Sequence, residues 1–73
     1  MVDYDELNRR IDASGYKRGA LAQKLGLSAG GFRNKVFGAY PFEIEEADRL
    51  ANLLGMTDQE FLEVFFRRGP QNG

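Results

Sequence analysis

The side chains best suited to recognition chemistry stand in a row at Arg33-Asn34-Lys35, with Lys17 and Arg18 a short way upstream. A guanidinium can donate two parallel hydrogen bonds to a guanine edge, and a carboxamide can donate to and accept from an adenine edge. An ammonium acts instead as a point charge on phosphate oxygens, giving affinity without sequence information. Bond-making chemistry has less to work with. The sequence contains no Cys and no His, so it offers no thiolate, no disulfide and no imidazole to act as base or metal ligand. The acids Glu43, Glu45, Glu46 and Asp48 could hold a cation only if they converged, and in a helix such a run splays around the axis. No catalytic group, cofactor, metal or small-molecule substrate is therefore expected, and the chain reads as a binding protein rather than an enzyme.

The charges are segregated. No acid occurs between Asp12 and Glu43, and the five cations Lys17, Arg18, Lys24, Arg33 and Lys35 give that stretch +5. The flanks carry −2 and −4, so the net charge of −1 conceals a basic middle. Either one face is made for a polyanion or the run is an ordinary solvated surface. With neither a charged leader ahead of an apolar run nor an apolar stretch near ~18 residues, the expected location is the cytoplasm and no membrane partner is expected.

Seventy-three residues make one small domain with a modest core. Residues 3–13 place Tyr4, Leu7 and Ile11 at helical spacing behind a run of acids, and Ser14-Gly15 ends that helix. A second helix runs from about Lys17 to Leu25, poorly started because Lys17 stands where a Ser or Thr would cap. Gly26 closes it, Leu27 plugs the core, and Ser28 caps a third helix reaching about Val36. On that helix Phe32 and Val36 point inward and leave Ala29, Gly30, Arg33, Asn34 and Phe37 outside. A fourth helix spans about Phe42 to Leu54, with a stripe of Ile44, Ala47, Leu50, Ala51 and Leu54. Residues 57–60, TDQE, form a capping box for a fifth that ends near Arg67 and Arg68, and residues 69–73 read as a frayed tail. The expected architecture is all-α: five short helices in residues 1–68, with no strands.

The stretch LAQKLGLSAGGFRNKVFG, residues 21–38, resembles the small phage-repressor (Cro- and Xre-like) helix-turn-helix family. Leu21, Ala22, Leu25, Gly26, Leu27, Ser28, Phe32, Lys35 and Gly38 fit that family's pattern, with Val36 a mild variant. GYKRGALA upstream and EIEEADRLANLLGMTDQEFLEVFF downstream extend the resemblance over about residues 4–66. It implies a lambda-repressor-like five-helix fold and a transcriptional regulator of double-stranded DNA, with the third helix in the major groove. Carried over by position, the DNA contacts are Lys17, Arg18, Ser28, Ala29, Gly30, Arg33, Asn34 and Lys35. Arg33 and Asn34 would read bases, and Lys17, Arg18 and Lys35 would hold phosphate.

Ala29, Gly30 and Gly31 depart from the long polar side chains this family commonly carries there. Three readings stay open: the glycines are merely tolerated in a first turn, they let backbone amides approach DNA closely, or base reading has been lost and the scaffold serves as a protein-binding adaptor or antirepressor. In the last helix Phe61, Leu62 and Phe65 are expected in the core, leaving Val64 or Phe66 for a homodimer contact. Phe37 and Tyr40 are expected to pack beside the third helix, with a place along the DNA backbone as the other option.

Overall fold

The computed structural model describes residues 1–67. Five helices follow in order: α1 (Tyr4–Ala13), α2 (Arg18–Lys24), α3 (Ala29–Val36), α4 (Ile44–Leu53) and α5 (Asp58–Phe65). No strand occurs among the described residues, so the all-α class is as expected. Arg68 and the tail expected at 69–73 lie outside the described residues.

Most of these helices start where a side-chain oxygen can take an otherwise orphaned amide. Asp3 accepts from the Glu6 amide at 3.1 Å, and Ser28 Oγ accepts from the Gly31 amide at 3.0 Å. Thr57 and Glu60 complete the expected box at α5: the Thr57 hydroxyl accepts from the Glu60 amide, and the Glu60 carboxylate accepts from the Thr57 amide at 2.9 Å. At α4 the Glu46 carboxylate reaches back to the Glu43 amide at 2.9 Å. The exception is α2, whose cap residue Lys17 makes no side-chain bond to the helix.

Each helix contributes an apolar side to one core. Leu7 and Ile11 come from α1, Leu21 and Ala22 from α2, Phe32 and Val36 from α3, and Ala47, Leu50 and Ala51 from α4. Leu25 is buried with them, and Leu27 packs against the cluster as expected of a turn residue.

The last helix departs from expectation in its rotation. Val64, assigned to the outer surface, is only 2% exposed, and Leu62, assigned to the core, is 56% exposed. Phe61, Val64 and Phe65 share a face at i, i+3 and i+4, and the Val64 carbonyl is drawn inward by the Asp3 amide at 2.6 Å. Phe65 stands edge-on to Phe42 at 5.4 Å between centroids, which places Phe42 in the packing ahead of α4 rather than on it. Starting at Ile44, α4 turns that side chain outward, so the stripe expected to include it begins at Ala47.

Candidate nucleic-acid interface

α2 and α3 are joined by Leu25-Gly26-Leu27-Ser28, and the basic segment lies on them. The left-handed Gly26 (φ +72°) lets the Gly26 amide donate to Gln23 and the Leu27 amide to Ala22, so the end of α2 is closed without added chain. Ser28, separated from Lys24 by three residues, can open α3 at a fixed direction. This short connection brings the start of α2 beside the outer side of α3.

One cleft of about 310 Å³ records that approach. Arg18 and Gly19 from α2 line it, with Ala29, Gly30, Phe32 and Arg33 from α3 and Phe37 just beyond. The guanidinium carbons of Arg18 and Arg33 lie 5.7 and 5.8 Å from the Phe37 ring centroid. Two cations and an aromatic ring thus meet at one place, within range of cation–π attraction. Gly30 and Gly19 border open space: a Cβ on either would meet nothing within 4 Å.

The eight nominated residues divide by what already holds them. Lys17, Ser28, Ala29, Gly30 and Arg33 are exposed, and Asn34 is half-buried. Arg33 forms no ion pair among the described residues. The Asn34 carbonyl accepts from the Ala39 and Tyr40 amides at 2.7 and 3.2 Å, folding the following loop back over the end of α3. Arg18 and Lys35, expected as free phosphate ligands, are paired within the molecule. Arg18 donates to Asn8 Oδ1 at 2.7 Å and to Asp12 at 2.8 Å. The Lys35 ammonium, largely buried, is bonded to Glu46 and ties α3 to α4. Burial alone would raise the Glu46 carboxyl, but the hydrogen bonds from Lys35 and from the Glu43 amide outweigh it and hold the group below the usual carboxylate range.

Asn8 is the residue that inspection of the sequence missed. Its amide nitrogen donates to the Tyr4 and Val36 carbonyls, each at 2.8 Å, while its oxygen takes Arg18. It thereby fixes both the end of α3 and the start of α2 against α1. The only hint was a carboxamide beside the Leu7 and Ile11 stripe, where an apolar residue would otherwise pack. Phe37 and Tyr40, expected to be packed, are 59% and 60% exposed. With the chain turning at residues 37–40, neither ring can reach a core already filled by Phe32 and Val36.

Elsewhere, Val64 is core and cannot serve as a dimer contact, while Phe66, just past the end of α5, is half exposed and borders the same cleft as Leu62. No group of acids with metal-holding geometry occurs among the described residues, and no helix of the described chain is long and apolar enough to cross a membrane. No protein-family model matches the chain, and no curated protein matches it either.

Proposed function

We propose that this protein is a DNA-binding regulator of the phage-repressor helix-turn-helix kind, acting without catalysis and in the cytoplasm. The observation that carries this reading is the convergence of Arg18, Arg33 and the bare start of α3 on one exposed surface within the acid-free segment. In this reading α3 enters the major groove, Arg33 donates to a guanine edge, and Lys17 with the exposed Lys24 holds phosphate. Arg18 keeps its place on Asp12 and turns only part of its charge outward. Asn34 is a base reader of the second rank, since its position near the end of α3 is half-buried.

A second reading has its own support. Pairing of Arg18 and Lys35 leaves the surface less cationic than its composition suggests, and the exposed Phe37 and Tyr40 suit a protein partner. An adaptor or antirepressor that keeps the scaffold would look this way.

Fluorescence anisotropy with random and affinity-enriched duplexes at two salt concentrations separates them. The regulator binds an enriched duplex more tightly than random sequence and weakens steeply with salt. Arg33→Ala lowers discrimination at one base pair by about 1–3 kcal/mol. Lys17→Ala weakens every duplex alike and lowers the salt slope by about 0.9. An absence of duplex binding at low salt ends this reading and leaves the adaptor. Light scattering tests a homodimer through Phe66 and Leu62; a strict monomer at high concentration removes paired half-sites from the reading.

A further inference from the structure

A surface that serves only to meet phosphate should be polar at its centre, yet the middle of this one is an apolar dent. Its lining is the exposed ring of Phe37, the bare Gly19, Ala29 and Gly30, and the 2% of Phe32 that reaches the surface. Its volume of about 310 Å³ falls at the small end for pockets that take organic ligands, which are mostly apolar with a few convergent polar groups. Both glycines are helical and sterically unconstrained, positions where Ala would favour the helix. Keeping them bare keeps the dent open.

The geometry points to a binding site for a small aromatic carboxylate, with the ring against Phe37 in the space left by Gly19 and Gly30 and the carboxylate on Arg33. The two guanidiniums at the rim differ in what they can offer. Arg18 is already bonded to Asn8 and Asp12, whereas Arg33 has no acidic partner among the described residues. An incoming carboxylate thus meets one guanidinium able to pair with it in a fork, supported by a ring that already faces that cation. A neutral apolar molecule would leave Arg33 unused, and a free phosphate would set a strongly hydrated anion against an apolar lining. Only a ligand with both a ring and an acid uses the whole site. Ligand binding stands on this geometry alone; opposition between the ligand and DNA rests on the proposed reading, because Arg33 cannot serve a base edge and a carboxylate together.

Phenylacetate titrated into the full chain and followed by amide NMR tests it. Saturable shifts are expected at Gly19, Gly30, Arg33 and Phe37, with a Kd on the order of 0.1–1 mM for so small a ligand. Phenylacetamide, lacking the charge, and acetate, lacking the ring, each bind at least about tenfold more weakly. Gly30→Leu fills the dent and abolishes saturation while the spectrum stays dispersed. Arg33→Gln reduces phenylacetate to the level of phenylacetamide, and decides the matter should Gly30→Leu not fold. Shifts that do not saturate, shifts centred elsewhere, or acetate binding as well as phenylacetate would overturn the site. A chain that binds duplex but ignores phenylacetate ends this inference alone; one that binds phenylacetate but ignores duplex sustains it and ends the DNA reading.

Discussion

Two turns in this molecule follow the same pattern, Leu-Gly, an apolar residue and a hydroxyl, and lead to different helix starts. Leu25-Gly26-Leu27-Ser28 joins α2 to α3, and Leu54-Gly55-Met56-Thr57 joins α4 to α5. Their glycines sit at φ +72° and +71°, and in each the residue after glycine donates back to an alanine carbonyl at 2.9 Å. A hydroxyl then caps the next helix, and a phenylalanine follows four residues after the cap. What differs is the intervening triplet, Ala-Gly-Gly in one and Asp-Gln-Glu in the other. Asp-Gln-Glu seals its helix start with a reciprocal box and links it to Arg10 at 3.0 Å. Ala-Gly-Gly leaves the second half of the box unmade and opens a cleft. The shared pattern sets chain direction, and the triplet decides whether a helix start is closed structure or accessible surface.

The sharpest way to break the equivalence is at the two phenylalanines. Phe32 is 2% exposed at the centre of the core, whereas Phe61 is only half-buried against Phe65 and Phe66. Phe32→Ala should cost about 3–5 kcal/mol and leave little folded protein, given the modest stability of a small domain. Phe61→Ala should cost clearly less, because water already reaches part of its ring. Urea denaturation reads both; equal losses would mean the α4–α5 side is packed as deeply as the α2–α3 side.

Next in size come the turn glycines, where equivalence itself is the expectation. Gly26→Ala and Gly55→Ala each place a Cβ in the left-handed region at a cost of about 1–2 kcal/mol, and neither Cβ would meet a neighbour. The two losses should therefore match. A large inequality would show that one turn draws its geometry from tertiary contacts rather than from its own residues.

Legibility in the sequence follows the same division between local and distant causes. The turns, the Ser28 and Thr57 caps and the inward Phe32 and Val36 could be read because each depends on neighbours within about one helical turn. The rotation of α5 could not, since FLEVFF is apolar on more than one side and the choice of Val64 over Leu62 depends on Asp3 at the other end of the chain. Likewise, the basic run was visible as charge, but not that Arg18 would be held by Asn8 and Asp12 of α1, or Lys35 by Glu46 of α4. Counting cations overstates a surface whenever the acids that neutralise them arrive from other helices.

A smaller effect sharpens the meaning of Ala-Gly-Gly. Gly30→Ala enters open space and should stabilise by about 0.4–1 kcal/mol, chiefly by restricting the unfolded chain. At Gly31 a Cβ would stand 3.1 Å from Ser28 Oγ, the atom that caps the helix, so Gly31→Ala should gain less or nothing. Paired thermal melts separate adjacent glycines that no composition argument distinguishes. Should Gly30→Ala stabilise the fold and leave duplex binding unchanged, close backbone approach to DNA is not what keeps that residue bare.

The smallest effect is the response to acid, which only one of the two turns contains the means to feel. Hydrogen bonds from the Thr57 amide, and then from Arg10, hold the Glu60 carboxyl below its usual 4.5, while the α2–α3 turn has no carboxylate at all. Glu6 reinforces the same corner: bonded first by Arg9 and also by Arg10, it is lowered to about 2. A carboxyl depressed in the folded state adds stability that is present above its unfolded value and is lost as pH falls through the folded one. Below about pH 4.5, amide protection relative to the unfolded chain should therefore fall at the start of α5 before it falls at the start of α3. The groups are substantially solvated, so the change should be modest and should shrink with added salt. Glu60→Gln keeps an acceptor for the Thr57 amide but removes the titrating charge, so it should leave α5 formed while flattening its acid response. If α3 frayed first instead, the unsealed triplet, rather than the ionised one, would be the weak point of the fold.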